Sequence, residues 1–150
     1  MTPPVRYLDD FSEGEQFDLG SFTFTEAEII AFATEFDPQE FHIDPVAAKE
    51  GPFGGIIASG WHTSAKVMRL MVDNFIPKES ALGSPGIDEL RWLRPVRPGI
   101  EYRVRYLIEA VVPSRSKDDR GHIEGLLEAL DPAGDVVMSF RGRGIYRRRI

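Results

Sequence analysis

An acid, a base and the start of an apolar helix lie close together in residues 36–62 of the sequence. Asp37 and His42 are separated by four residues, and Ser59-Gly60 opens an apolar segment after a glycine-rich turn. Carboxylates and imidazoles serve as general acids and bases, and the amides at a helix N-terminus favour developing negative charge. These residue types predict an acid–base site with an anion-stabilising end.

Other polar residues in this part of the chain have structural explanations. Asp44 precedes Pro45, so we expect it to cap a short helix that starts at the proline. His62 is interpreted as a core or interface residue, and His122 as exposed to solvent. A metal site formed by His42, Asp44 and His62 is disfavoured because it has only two histidines and no evident supporting hydrogen bonds, so we expect no metal.

The segment before Asp37 predicts a helix that ends next to it. Thr25 and Glu28 form a capping-box pattern, and apolar residues recur at helical spacing over 26–36. Pro38 ends this helix, because the residue before a proline is pushed out of the helical region. Asp37 then lies at a helix C-terminus, where the dipole disfavours a carboxylate, and we expect its pKa to be raised.

A longer helix and a sheet account for the rest of the chain. Helical spacing predicts a helix over 60–75, and a segment with Ser, Gly and Pro, 78–86, is expected to be a mobile linker. Apolar patterning predicts a short strand or two over 16–25, and strands over 86–97, 101–112, 121–130 and 136–146. Short connections make the sheet antiparallel. We predict an α+β fold in which a curved antiparallel sheet wraps around one long central helix.

The composition predicts one domain, 1–150, with residues 1–14 as an N-terminal arm laid over the surface. The chain has 150 residues, no cysteine and a net charge of −6. Missing cysteine excludes disulfides and thiolate metal sites, and the negative charge argues against nucleic acid as a partner. No hydrophobic leader or membrane-spanning run is present, so we expect a cytoplasmic protein without a membrane partner. The arginine-rich segment 141–149 is interpreted as a solvated last strand and tail, with an anion or partner contact as the alternative.

The order of motifs in residues 36–62 resembles the signature of the MaoC-like dehydratases, the (R)-specific enoyl-CoA hydratases of the hotdog fold. The matching positions are Asp37-Pro-Gln39-Glu-Phe-His42-Ile-Asp44, Ala47-Ala48, Phe53-Gly-Gly-Ile56-Ile57-Ala58 and Ser59-Gly60. The later segment Leu90–Gly99, LRWLRPVRPG, also resembles the family's R-P-V-x-P-G segment. Two positions depart from the pattern, because Gln39 stands where the family usually has Asn and Ser59 stands where many members have His.

The resemblance implies a single hotdog domain that adds water to a 2-enoyl-CoA, or removes it from a 3-hydroxyacyl-CoA, in fatty acid metabolism. Asp37 and His42 are the implied pair that orients and activates the water, and Gly60 supplies the amide that stabilises the thioester oxygen. The implied substrate-binding residues are Gln39, Phe53, Ile57, Ser59 and Arg94. No cofactor is implied beyond the coenzyme A of the substrate, and the implied assembly is a homodimer or higher homo-oligomer with sheets joined edge to edge.

Two further residue sets could contact such a substrate. Guanidinium groups pair well with phosphates, so the candidates for the coenzyme A phosphates are Arg94, Arg97 and Arg115. The aromatic residues near the motif are interpreted as core, with an acyl channel as the alternative: Phe36, Phe41 and Phe53. Two other functions stay open, namely a non-catalytic acyl-CoA-binding hotdog protein, motivated by Gln39 and Ser59, and a hotdog acyl-CoA thioesterase.

Overall fold

The computed structural model describes residues 5–149, and its central feature is one antiparallel sheet of five strands. The strands are β1 (Gln16–Thr23), β2 (Gly86–Trp92), β3 (Glu101–Pro113), β4 (Arg120–Leu130) and β5 (Val136–Arg147). They lie side by side in the order β1-β3-β4-β5-β2, and every neighbouring pair is antiparallel. The predicted antiparallel sheet is confirmed, although β2 ends at Trp92 rather than at residue 97. Pro95 in the segment that follows has no amide to donate to a neighbouring strand.

The sheet buries one face of its strands, as their period-two pattern requires. In β3 the alternating residues Tyr102, Val104, Tyr106 and Ile108 are each at most 4% exposed. They belong to one buried cluster with Val67 and Met71, which lie one turn apart on a long helix, α4 (Gly60–Asn74). The sheet and the long helix therefore share a single core.

Three shorter helices precede α4 and place the polar residues of the motif. They are α1 (Glu26–Phe36), α2 (Glu40–Ile43) and α3 (Pro45–Glu50). The capping box is confirmed, since the Glu28 amide donates to the Thr25 hydroxyl and the Thr25 amide donates to the Glu28 carboxylate, both at 3.1 Å. Asp44 caps α3 as predicted, accepting from the amides of Val46 and Ala47 at 3.1 Å.

Two predicted surface segments are more tightly held than the sequence suggested. Residues 1–4 of the predicted arm lie outside the described residues, but Leu8 and Phe11 are buried in the core instead of resting on the surface. The predicted mobile linker is hydrogen-bonded along β5, because the Leu82 amide donates to the Ile145 carbonyl at 2.8 Å and the Ile145 amide donates to Gly83 at 2.8 Å. Backbone pairing with a neighbouring strand is a tertiary contact that local composition does not reveal.

The basic end of the chain is paired with acids near its beginning. The Arg148 guanidinium lies 3.1 Å from the Asp9 carboxylate, and the Arg149 amide donates to the same carboxylate at 2.7 Å. These contacts connect the end of β5 to the segment before β1. They give the basic residues a structural partner within the chain itself.

Candidate active site

A cavity of about 550 Å³ lies at the N-terminus of α4. Its walls come from the end of α1, from α2, from the loop before α4 and from the segment that follows β2. Seven of the eight residues predicted for the site line it: Asp37, Gln39, His42, Phe53, Ile57, Gly60 and Arg94. The eighth, Ser59, is fully buried behind the wall.

Asp37 is fixed by two donors immediately after α1. Its Oδ1 accepts a hydrogen bond from Gln39 Nε2 at 2.7 Å, and its Oδ2 accepts one from the Ser59 hydroxyl at 2.7 Å. Burial acts to raise the pKa of Asp37, but the hydrogen bonds from Gln39 and Ser59, together with the charge of His42, outweigh it and lower the pKa. The predicted rise was wrong, because side-chain donors that converge in three dimensions outweigh the helix dipole and burial.

His42 faces Asp37 from the short helix α2 and is only 5% exposed. Its Nδ1 lies 2.6 Å from the carbonyl oxygen of Ile57. Because a carbonyl can only accept, Nδ1 carries the proton in this contact. Nε2 is thereby directed toward Asp37, whose Oδ2 is 3.4 Å away. Asp37 and His42 therefore converge as predicted, with the imidazole held in one tautomer by the main chain.

Gly60 is the first residue of α4, and Ser59 is the N-cap. The Ser59 hydroxyl accepts from the Trp61 amide at 3.3 Å, whereas the Gly60 amide donates to no other residue in the described range 5–149. A Cβ atom at Gly60 would lie 2.3 Å from the indole ring of Trp92. As the first helical residue, Gly60 has an amide without an acceptor among residues 5–149, at the positive end of α4. The missing side chain allows the Trp92 ring to pack directly on the backbone.

The remaining predicted contact residues have different surroundings. Gln39 reaches the cavity while holding Asp37, and Phe53 and Ile57 contribute apolar wall. Arg94 lies at the cavity and is paired with Asp135 at 3.2 Å. The Arg97 guanidinium donates to the Phe53 carbonyl at 2.8 Å, so it supports the loop.

Several residues lie elsewhere than the sequence suggested. Phe36, interpreted as core, is 64% exposed and lines the cavity instead, because it ends α1 on the solvent side. Arg115 lies at a separate surface depression rather than at the cavity. His62 is stacked between Phe24 and Phe32, with ring centroids 4.0 and 4.4 Å away, and burial lowers its pKa. His122 is partly exposed and lies 3.1 Å from Glu124.

Sequence reasoning missed the far wall of the cavity. It is formed by Thr63 from α4, Trp92 from β2, and Val137 and Met138 from β5. Apolar residues in strands signal a buried face but do not indicate which helix that face will meet. In the part of the chain that the structure covers, no group of three or more His, Cys, Asp or Glu residues could hold a metal ion. No helix among those same residues is long and apolar enough to cross a membrane.

The family model described as a MaoC like domain matches residues 10–126. The chain belongs to this family. The MaoC-like chain is also similar to the crystal structure of the MaoC-like dehydratase from Rhodospirillum rubrum, with 40% identity, a TM-score of 0.88 and coverage of 97% of this chain and 99% of that one. Its sheet around a central helix is accordingly the hotdog fold.

Curated relatives share shorter stretches with this MaoC-like chain. It is 34% identical over 94 residues to the uncharacterized protein YdeM of Bacillus subtilis, covering 63% of this chain and 67% of YdeM. It is 36% identical over 89 residues to 3-hydroxyacyl-thioester dehydratase Z of Mycobacterium tuberculosis, covering 59% of this chain and 58% of the dehydratase. Membership of a family that includes hydratases and dehydratases is thus established for this MaoC-like protein.

Proposed function

We propose that this protein is a hydro-lyase that adds water to a 2-enoyl-CoA thioester, or removes it from the corresponding (R)-3-hydroxyacyl-CoA. The observation that carries the proposal is the convergence of Asp37 Oδ2 and His42 Nε2, 3.4 Å apart, on a cavity that also contains Gly60 at the start of α4. The relative named 3-hydroxyacyl-thioester dehydratase Z supports the reaction class.

Asp37 and His42 act as a pair on one water molecule. The lowered pKa keeps Asp37 ionised at neutral pH. With the proton on Nδ1, His42 Nε2 is free to accept a proton from the cavity side and to donate it back once protonated. A separation of 3.4 Å is too long for a strong direct hydrogen bond, so each group retains capacity to bind the water. The pair removes a proton from the water as its oxygen attacks C3, and returns a proton to C2.

The N-terminus of α4 stabilises the charge that moves onto the thioester oxygen. In the enolate-like transition state that oxygen becomes negative, and the Gly60 amide is a main-chain donor at the cavity that can bind it. The helix dipole adds to this effect in the first turn. Net addition of H and OH across the double bond leaves Asp37 and His42 in their starting protonation states, so the proposed step balances without an oxidant or reductant.

The chain also presents apolar surface that a second copy would cover. Six exposed residues lie on α4 and on or just after the edge strand β2: Trp61, Met68, Val72, Ile87, Trp92 and Leu93. Three of them, Trp61, Trp92 and Leu93, line the cavity as well. We propose that the protein forms a homodimer through this face, since open sheet edges and exposed apolar patches favour association. The cytoplasmic location stays a prediction.

The decisive experiment follows turnover of crotonyl-, hexenoyl- and mesaconyl-CoA by the purified protein. Loss of the conjugated double bond with formation of an (R)-3-hydroxyacyl product supports the proposal. A thiol reagent in a parallel reaction detects free coenzyme A, which would identify a thioesterase. Tight acyl-CoA binding with no turnover across the panel would contradict catalysis and favour a binding protein.

A further inference from the structure

Thr63 carries a buried hydroxyl that is unusual among the helical hydroxyls of this chain. The hydroxyl of Thr34 donates to the Ile30 carbonyl at 2.6 Å, and that of Ser64 donates to the Gly60 carbonyl at 2.8 Å, each one turn back. Thr63 is 1% exposed, yet its Oγ1 has no hydrogen-bond partner among residues 5–149. The carbonyl one turn back, that of Ser59, accepts instead from the amides of His62 and Thr63, at 3.0 and 3.1 Å.

The position of Thr63 connects this orphan hydroxyl to the candidate active site. Thr63 lines the same cavity as Asp37, His42 and Gly60. It lies three residues after Gly60 on α4, a rise of about 4.5 Å along the helix axis. That distance is about the length of a short acyl chain whose thioester oxygen is held at the Gly60 amide.

The wall around Thr63 is otherwise apolar. Val96, Val137 and Met138 line the same cavity and are each at most 5% exposed. Rotation about the Cα–Cβ bond of a threonine can bring either its hydroxyl or its methyl group to a given position, and two rotamers are populated in helices. Thr63 can therefore present either group to a bound acyl chain without moving the backbone.

We propose that Thr63 is a specificity-determining residue whose hydroxyl hydrogen-bonds a neutral oxygen on the acyl group, just beyond the reacting carbons. This inference rests on the proposed function, because it places the acyl chain between Gly60 and Thr63. The favoured substrates are enoyl thioesters with a hydroxyl or similar oxygen at C4, rather than purely aliphatic ones.

A neutral oxygen fits this wall better than a carboxylate. The ionised Asp37 shares the cavity, and the cationic Arg94 there is 57% exposed on its side chain and already paired with Asp135. An acyl carboxylate beside Val137 and Met138 would lose its hydration without gaining a counter-charge. A neutral hydroxyl needs only one partner, which Thr63 supplies.

The test replaces a hydroxyl group by a methyl group twice, once on the enzyme and once on the substrate. Wild type, Thr63→Val and Thr63→Ser are assayed with 4-hydroxybut-2-enoyl-CoA and with pent-2-enoyl-CoA, which differ only by hydroxyl against methyl at C4. The inherent reactivities of the two substrates cancel when their kcat/KM ratio is compared between variants. We expect Thr63→Val to lower the hydroxy-to-methyl ratio about tenfold and Thr63→Ser to keep it near wild type.

Each result decides between the proposals. If wild type turns over both thioesters and Thr63→Val changes both rates equally, Thr63 does not distinguish the two acyl groups and the inference is overturned.

If wild type hydrates no enoyl thioester, the proposed function fails. Calorimetry with the saturated 4-hydroxybutyryl-CoA and pentanoyl-CoA then tests the binding preference of Thr63 separately. In that assay a hydroxyl preference lost in Thr63→Val and kept in Thr63→Ser supports the inference, and equal affinities in all three proteins overturn it. If Thr63→Val fails to fold, Thr63→Ser alone decides. Serine keeps the hydroxyl, so loss of the wild-type preference for the hydroxylated acyl group in this variant would overturn the inference.

Discussion

The Ser59 hydroxyl donates a 2.7 Å hydrogen bond to Asp37 Oδ2. The same hydroxyl caps α4 by accepting from the Trp61 amide at 3.3 Å. One buried side chain therefore joins the carboxylate that follows α1 to the helix end that carries the Gly60 amide. The two halves of the candidate site, acid–base pair and oxyanion donor, are held in register through this residue.

Replacing Ser59 should damage both halves of the site. In Ser59→Ala the loss of the cap should lower the free energy of unfolding by about 1 kcal/mol. Loss of the donor should raise the pKa of Asp37, so the acid limb of the kcat/KM profile should move to higher pH, with turnover reduced about tenfold or more. Thermal melting and a pH–rate series measure these effects. Thr34→Ala, which removes a hydroxyl that donates to the Ile30 carbonyl, is the control and should keep the wild-type profile.

The Asp37 and His42 pair should be required for turnover but not for folding. Asp37→Asn and His42→Gln should each reduce kcat about 10²-fold or more, because each removes a group that exchanges protons with the substrate or water. Circular dichroism and molecular mass should stay as in wild type. Asp44→Asn is the matched control for the carboxylate, because Asn caps a helix about as well as Asp. Wild-type rates in both site variants would disprove the assignment.

Stability should fall as the medium becomes mildly acidic, through His62. Burial lowers the folded-state pKa of His62 below its ordinary value of 6.5, so the unfolded chain binds more protons between those two values. The free energy of unfolding therefore decreases as the pH falls through 6.5 toward the lowered value. Melting temperatures measured between neutral and mildly acidic pH should show this slope reduced in His62→Gln. The control variant His122→Gln should keep it, and an unchanged slope in His62→Gln would refute this origin.

A side chain at residue 60 should conflict with Trp92. The Cβ of Gly60→Ala would lie 2.3 Å from the indole ring, so the ring must move and lose its 3.2 Å hydrogen bond to Ser64. We expect a lower melting temperature and weaker turnover, as the cavity wall shifts. Gly55→Ala, whose Cβ would have only the Arg97 guanidinium at 3.9 Å, is the control. Trp92→Ala removes the ring with which the new methyl group clashes. Adding Gly60→Ala to Trp92→Ala should therefore lower the melting temperature less than adding Gly60→Ala to wild type. Equal penalties in both backgrounds would show that Trp92 is not the cause.

Local chemistry in the sequence was enough to predict the strands, the helices α1, α3 and α4, and the proximity of Asp37 and His42, but not the short helix α2. The capping residues Thr25 and Asp44 act within a few residues of their own positions, so their roles follow from the sequence alone. The strand β3 reveals its buried face by alternation, because side-chain direction in a strand depends only on position. Asp37 and His42 converge because a short turn between two helices gives them little freedom.

Properties that arise from contacts between distant parts of the chain were determined only by the tertiary structure. The pKa of Asp37 is lowered rather than raised because Ser59, 22 positions away, reaches its carboxylate. The packing of Trp92 on Gly60 and the burial of Thr63 at the cavity likewise depend on how β2 and β5 lie against α4. Hydrogen bonds and packing act over a few ångströms in space regardless of separation along the chain, so a linear pattern cannot assign them.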